Sequence, residues 1–232
     1  MLTSEQCMSS AGGVKLTILY DNREADGHLL AAHGFACLVE VGGRRILFDT
    51  GGDPARLFYN MGALGVDPRT IEAVVISHNH WDHTGALSAL LSVKPDAIVH
   101  APSEPKPEPV APGARIVGPL QAAYKGYRLA EQALAVEVGE GFVLLLGCSH
   151  PGAPALVREA MRLLPGRKPM ALVGGLHLIE AGERQIEATV DELARLGVGA
   201  VAPCHCTGAK AASALARKLK TLQCGVGAKL EF

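Results

Sequence analysis

The chain is short of the features that mark several large protein classes. Nowhere in its 232 residues is there an uninterrupted apolar stretch of the roughly 18 residues a membrane-spanning helix needs. Residues 1–13 lack the basic start and apolar run of a secretory leader, so the expectation is a cytoplasmic protein with no membrane partner. An excess of either charge is missing too: 22 Lys and Arg against 23 Asp and Glu leave a formal net charge of -1, with neither sign in a long block. With only 4% aromatic residues, nucleic acid is not an expected partner. The six cysteines, Cys7, Cys37, Cys148, Cys204, Cys206 and Cys224, contain no Cys-x-x-Cys pair and are too sparse for a disulfide scaffold. They are expected as reduced thiols in the core or near a site. A Gly-x-Ser-x-Gly elbow is also absent.

What is present is enough apolar material, 48% of residues, to bury one substantial core. The expected organisation is a flexible lead-in over residues 1–13 and one domain over 14–232. Within that domain one stretch dominates: Val74-Val75-Ile76-Ser77-His78-Asn79-His80-Trp81-Asp82-His83-Thr84-Gly85. Residues two apart share a face in extended chain but point to nearly opposite sides of a helix. A strand over 73–76 would therefore deliver His78 and His80 side by side, with Asp82 and His83 on a tight turn into a helix over 84–91. Imidazole nitrogens and a carboxylate pointing in two directions can face two adjacent metal positions, and they suit zinc, iron or manganese.

The rest of the chain alternates short strands with helices. Alternation over 14–20 reads as a half-buried strand, and 34–41 and 44–48 flank Gly42-Gly43 as a hairpin. The second hairpin strand ends at Asp49. A carboxylate there can orient a ligand imidazole, or serve as a turn-forming Asp before glycine. A helix is expected over 54–64, a short strand over 97–100, and a proline-rich surface loop over 102–112. Three short strands follow, 114–117, 126–129 and 133–138. The continuous apolar run 142–146 reads as a strand buried on both faces. Helices over 155–164, 185–196 and 210–222 then alternate with strands over 170–173, 199–202 and 226–232. His78, His150, His177 and His205 each fall within a few residues after a short apolar run. Loops leaving neighbouring strands converge on one crevice, so these four histidines are expected to meet.

His-x-His-x-Asp-His at residues 78–83 resembles the signature of the metallo-β-lactamase superfamily. Tyr20-Asp21-Asn22, His33-Gly34-Phe35, Leu47-Phe48-Asp49-Thr50-Gly51, Gly147-Cys148-Ser149-His150, Gly174-Gly175-Leu176-His177-Leu178 and His205-Cys206-Thr207-Gly208 extend the likeness. Together they resemble its dihydropterin–ribofuranosylaminobenzene phosphate synthase-like branch. The resemblance implies an α+β fold, a metallo-β-lactamase-like four-layer αββα sandwich, and one or two divalent metal ions, zinc first, with manganese or iron also compatible. It implies His78, His80 and His150 around the first ion and Asp82, His83 and His205 around the second. Asp82 would also orient the nucleophile. One departure stands out: the acidic bridging ligand usual between the third and last histidines is missing, since no carboxylate follows Val173 until Glu180. His177 is left as a substitute ligand, a substrate contact, an acid/base group or a structural residue.

The expected function is a metal-dependent hydrolase using metal-activated water on a phosphoester or cyclic phosphodiester of a small metabolite, with Asp82, His177 and Asp49 as its working side chains. The alternatives are a pterin-related synthase, a thioester or lactone hydrolase, and a non-catalytic metal-binding module. Cys204 and Cys206 flank His205 and could approach a metal through sulfur, but they and Cys148 are expected to pack or to support a ligand from behind, because neighbours of His205 in extended chain point away from it. Trp81 is expected as packing or pocket wall, His33 in the crevice or the hairpin, and His28 and His100 at the surface or in loops.

Overall fold

A computed structural model describes residues 13–103 and 109–232. The lead-in expected over 1–13 lies almost wholly outside the described residues, as does the centre of the proline-rich loop.

Two six-stranded sheets form the body. The first holds β1 (Lys15–Tyr20), β2 (Ala36–Val41), β3 (Arg44–Phe48), β4 (Ala73–Val75), β5 (Ile98–His100) and, at its other edge, the chain's last strand, β12 (Lys229–Glu231), in the order β12-β1-β2-β3-β4-β5. The second holds β6 (Ala114–Tyr124), β7 (Tyr127–Val138), β8 (Gly141–Leu146), β9 (Lys168–Gly174), β10 (Ala200–Pro203) and β11 (Lys220–Thr221), in the order β11-β10-β9-β8-β7-β6.

Strand periodicity explains the layers. In β2, Cys37 and Val39 face inward to meet Val143 and Leu145 of β8, while Ala36 and Leu38 face outward. That outer face is covered by α1 (Pro54–Ala63) and α3 (Leu87–Val93), through Leu57, Met61 and Leu90. On the second sheet Phe142, Leu144 and Leu146 pack beneath α4 (Ala153–Leu163), α5 (Glu183–Arg195) and α6 (Ala209–Lys218). Every residue of β8 is buried, as its unbroken apolar run requires. The expected four-layer αββα sandwich is the observed one. Each fully buried Leu, Ile, Val or Phe in these three cores contributes roughly 1.5–3 kcal/mol.

Three local expectations are corrected. The three short strands expected between 114 and 138 are two long ones, paired antiparallel from Ala114↔Val136 to Tyr124↔Tyr127 around a Lys125-Gly126 turn. The Gly118-Pro119 signal is absorbed as an irregularity within β6, where the register shifts between Val117 and Leu120, and Gly126 forms the turn that joins the two strands. Helix begins earlier than residue 84: α2 (Trp81–Thr84) already contains Asp82 and His83, and a break at Gly85-Ala86 separates it from α3. The last helix stops at Lys218, and Lys220 and Thr221 pair with β10 instead.

Candidate metal centre

Strands β3, β4 and β5 run parallel, as do β8 to β11. Their C-terminal ends therefore open at one edge, and the chain's candidate ligands leave from those ends. The β6–β7 hairpin adds to this edge. Because β7 is antiparallel to β8 and starts well beyond its end, the tip bearing Tyr124, Lys125 and Tyr127 overhangs the loops that carry the histidines.

The structure brings His78, His80 and His150 together, with one ring nitrogen of each lying within 4.8 Å of the others. His78 Nε2 faces His80 Nδ1 at 3.0 Å. Their outer nitrogens are occupied: His78 Nδ1 meets Ser77 Oγ at 2.9 Å and His80 Nε2 meets the Tyr127 hydroxyl at 2.6 Å. The Ser77 hydroxyl donates to Asp49 Oδ2 at 2.7 Å, so His78 Nδ1–H donates to Ser77 and the Nε2 lone pair is left for a ligand bond. Burial lowers all three imidazoles, His150 to about 3 with His177 adding to the effect. They are neutral at pH 7.

A second group forms around Asp82. Its Oδ2 lies 3.2 Å from His205 Nε2, 3.2 Å from His33 Nε2 and 3.6 Å from His83 Nε2. His33 sits in the loop before β2, not in the hairpin, and joins the crevice. Burial opposes ionisation of Asp82, yet His205 and His83 hold its carboxyl well below the usual range. His83 Nδ1 donates to Asp49 Oδ2 at 2.7 Å. Burial pulls the His83 imidazole down, but Asp49 and Asp82 together outweigh it and lift it to about 9. Asp49 is thus the shared orienter of His78, through Ser77, and of His83 directly. Ser77 backbone N–H adds a further bond to Asp49 at 2.6 Å. Gly147 permits this approach, because a Cβ there would overlap the Ser77 side chain.

Asp21 and Asn22, at the end of β1, fix the last histidine. Asp21 Oδ2 accepts from His205 N–H at 2.9 Å, and Asn22 Oδ1 accepts from His205 Nδ1–H at 2.8 Å. Two β7 residues escaped the sequence reading. Buried Glu131 accepts from the backbone N–H groups of Cys148, Ser149 and His150 at 2.9, 2.7 and 2.6 Å; burial raises its carboxyl to about 7 against those three donors. Gln132 donates from Nε2 to the carbonyls of Ile76 and His100 at 2.9 and 3.0 Å, and from its backbone to Ser77. One strand of the second sheet thereby ties down a loop from each sheet. The available signal was a polar pair, Glu131-Gln132, between the apolar residues of 129–130 and 133–136.

His100 is buried at the end of β5, contrary to expectation, while His28 is exposed. Cys206 also departs from its expected orientation. Residues 205–207 form a 3-10 turn with His205 at φ 47°, so Cys206 lines the crevice, whereas Cys204 bonds back to Ala202 in the core. Cys37, Cys148, Cys204, Cys206 and Cys224 are free thiols, as expected. Every non-glycine residue with positive φ among the described residues borders this edge: Asp49, Lys125, Ser149, His177 and His205. Such conformations cost on the order of 1 kcal/mol or more each and persist where surroundings enforce them.

The groups floor a cavity of about 620 Å³. Trp81, 64% exposed, stands at its rim, while His177 and Lys125 line its wall. The His177 ring lies 4.2 Å from that of His150, and the Cys206 sulfur beside it raises the imidazole above its ordinary value against burial.

Comparison with known proteins settles the family. A sequence profile described as the metallo-beta-lactamase superfamily matches residues 31–158, more than half of the chain. The chain belongs to the metallo-β-lactamase superfamily. Among curated proteins, the 7,8-dihydropterin-6-methyl-4-(beta-D-ribofuranosyl)-aminobenzene-5'-phosphate synthase of Methanocaldococcus jannaschii is 27% identical over 250 residues, covering 81% of this chain and 85% of that protein. Among solved structures, a metal-dependent hydrolase of the beta-lactamase superfamily aligns with TM-score 0.77 and 26% identity over 94% of this chain and 99% of its own. A metallo-beta-lactamase fold protein from Bacillus subtilis aligns with TM-score 0.64 at 15% identity over 95% and 99%, which bears on the fold alone.

Metallo-β-lactamase folds usually carry divalent metal ions, and the donor set here fits them. Both ring nitrogens of His150 are buried with no hydrogen-bond partner, and Nε2 of His205, although 3.2 Å from Asp82 Oδ2, makes no well-aligned hydrogen bond. Buried nitrogens in that condition are costly unless something accepts their lone pairs. Two imidazoles on one tetrahedral zinc hold their nitrogens about 3.3 Å apart, close to the 3.0 Å between His78 and His80. Of the candidate ligand clusters among the described residues, only that of His33, Asp82 and His205 contains a carboxylate.

Proposed function

We propose that this protein is a metal-dependent hydrolase, directing activated water at a phosphoester of a small metabolite, cyclic phosphodiesters included. The observation that carries the reading is the pair of adjacent donor groups, each holding a buried imidazole nitrogen without a well-aligned hydrogen bond, at the floor of an open cavity. Divalent ions there would supply Lewis-acid polarisation and a water of near-neutral pKa. His78, His80 and His150 would hold one and Asp82, His83 and His205 the other.

The chain's own residues do the rest. Asp82 presents an ionised carboxylate to the cavity, suited to accept a hydrogen bond from the attacking water. In hydrolysis a P–O bond forms to water oxygen, the bond to the leaving oxygen breaks, and that oxygen takes a proton. His177, raised in basicity beside Cys206 and open to the cavity, is placed to give it. Lys125, on the overhanging tip, offers the cavity a cation for an anionic substrate. The related solved structure titled a metal-dependent hydrolase supports this reading.

Elemental analysis of protein purified without added metal, followed by a screen of phosphodiester, phosphomonoester, thioester and lactone substrates, tests it. Stoichiometric metal with phosphoester turnover is expected, and inertness of metal-replete protein towards every phosphoester would defeat it.

A second reading is favoured by the Methanocaldococcus jannaschii relative, a pterin-related synthase. Tyr124, Tyr127 and Trp81 around the mouth could stack a flat heterocycle. Product analysis separates the two: condensation joins two organic substrates, whereas hydrolysis incorporates oxygen from labelled water.

A further inference from the structure

Resting on the metal-site reading above, we propose that Cys148 is a sulfur ligand of this centre, placed at the seam between the two donor groups. The Cys148 Sγ lies 3.3 Å from His83 Nε2 and within 4.8 Å of a ring nitrogen of His78. Those imidazoles belong one to each donor group, so a single sulfur reaches both. A zinc ion bound to a thiolate and an imidazole at a tetrahedral angle holds sulfur and nitrogen about 3.6 Å apart. The observed spacing is close to that.

Two further features hold the sulfur there. Glu131 fixes the backbone of Cys148, Ser149 and His150 together, so the sulfur and the third histidine are set as one unit. Behind it, Cys206 and His177 complete a second cluster in which the three donor atoms lie within 4.8 Å of one another. Gly175 makes room for this cluster, because a Cβ at that position would stand 2.6 Å from Cys206 Sγ and strike the Gly147 carbonyl. A thiolate ligand biases the centre towards thiophilic ions such as Zn²⁺, Co²⁺ or Fe²⁺ over Mn²⁺ or Mg²⁺.

The test is a Co²⁺ titration of the whole protein, stripped of metal by chelation, followed by absorption in the near ultraviolet, where thiolate-to-cobalt charge transfer appears. Fully loaded wild type is expected to show the band. Cys148→Ser is expected to lose it and to bind its weaker equivalent at least tenfold less tightly, keeping the other equivalent; Cys206→Ser is expected to retain the band. Two bound equivalents without a band overturn the sulfur ligand and leave the metal reading standing. A band that survives Cys148→Ser and disappears in Cys206→Ser also overturns it. Failure of wild type to bind Co²⁺ removes both. Should Cys148→Ser fail to fold, X-ray absorption of zinc-loaded wild type decides alone: a sulfur neighbour at about 2.3 Å is expected, and a shell of only nitrogen and oxygen overturns the proposal.

Discussion

The two halves of the centre are built on opposite electrostatic plans. His78, His80 and His150 form a carboxylate-free group whose imidazoles are neutral through burial, two of them buttressed by the hydroxyls of Ser77 and Tyr127. Around Asp82, the imidazoles of His83 and His205 are tied to Asp49 and to Asn22, and His83 keeps its proton to about pH 9. The first group is ready to receive a cation at neutral pH; the second must give up a proton first. Opposite orders of metal affinity and pH sensitivity follow from one set of residue types, because the difference lies in what stands behind each ring.

The largest expected effect comes from removing a donor of the carboxylate-free group. His150→Ala is expected to eliminate one bound ion by elemental analysis and to lower turnover of the proposed phosphoester substrate by about a thousandfold or more, several kcal/mol of barrier. Turnover within tenfold of wild type would mean that this group is not part of the chemistry.

Next come the residues behind the rings. Asp49→Asn touches both groups, through Ser77 and His83, and Glu131→Gln touches the loop bearing Cys148 and His150 and, at 3.9 Å, His78 Nδ1. Each is expected to weaken metal binding by roughly 10- to 100-fold. Calorimetric titration should find both equivalents weakened in Asp49→Asn.

The pH dependence separates the halves most directly. His83 is raised to about 9, so at pH 7 it is protonated and its proton leaves when an ion binds; in Cys148→Ser, where no thiol proton is displaced, affinity at that position should rise about tenfold per pH unit from 7 and level off above about 9. Affinity at the His78, His80 and His150 position should stay flat over the same range. Calorimetry at pH 7 in buffers of different ionisation enthalpy should count two protons released at the second position, one from His83 and one from the Cys148 thiol, and none at the first. Equal release at both would erase the distinction.

The smallest effect is expected at the rim. Tyr127→Phe removes the hydroxyl on His80 Nε2, a bond worth about 1 kcal/mol, and should weaken the first equivalent severalfold while leaving the second unchanged.

Much of this centre was legible in the chain itself. His78, His80, Asp82 and His83 are close in sequence, and the period-two spacing of the first pair pointed to one face. His150, His177 and His205 were findable because each follows an apolar strand. Glu131 and Gln132 were not, because the turn-forming residues around Gly118 and Gly126 made one long hairpin look like three fragments. Cys206 was misjudged because extended geometry was assumed where a positive φ at His205 turns the chain. His33 lay open between two readings, since its approach to Asp82 depends on a loop with no periodicity.

Sequence alone determined most strands and helices of the two sheets and the ligand-bearing motif, because side-chain alternation and short-range spacing are properties of neighbouring residues. Tertiary structure decided which nitrogen of each histidine points inward, that Asp49 serves both groups, and that a β7 carboxylate holds the His150 loop. Those facts depend on the register between strands and on the packing of the two sheets, which bring together groups as far apart in the chain as Asp21 and His205.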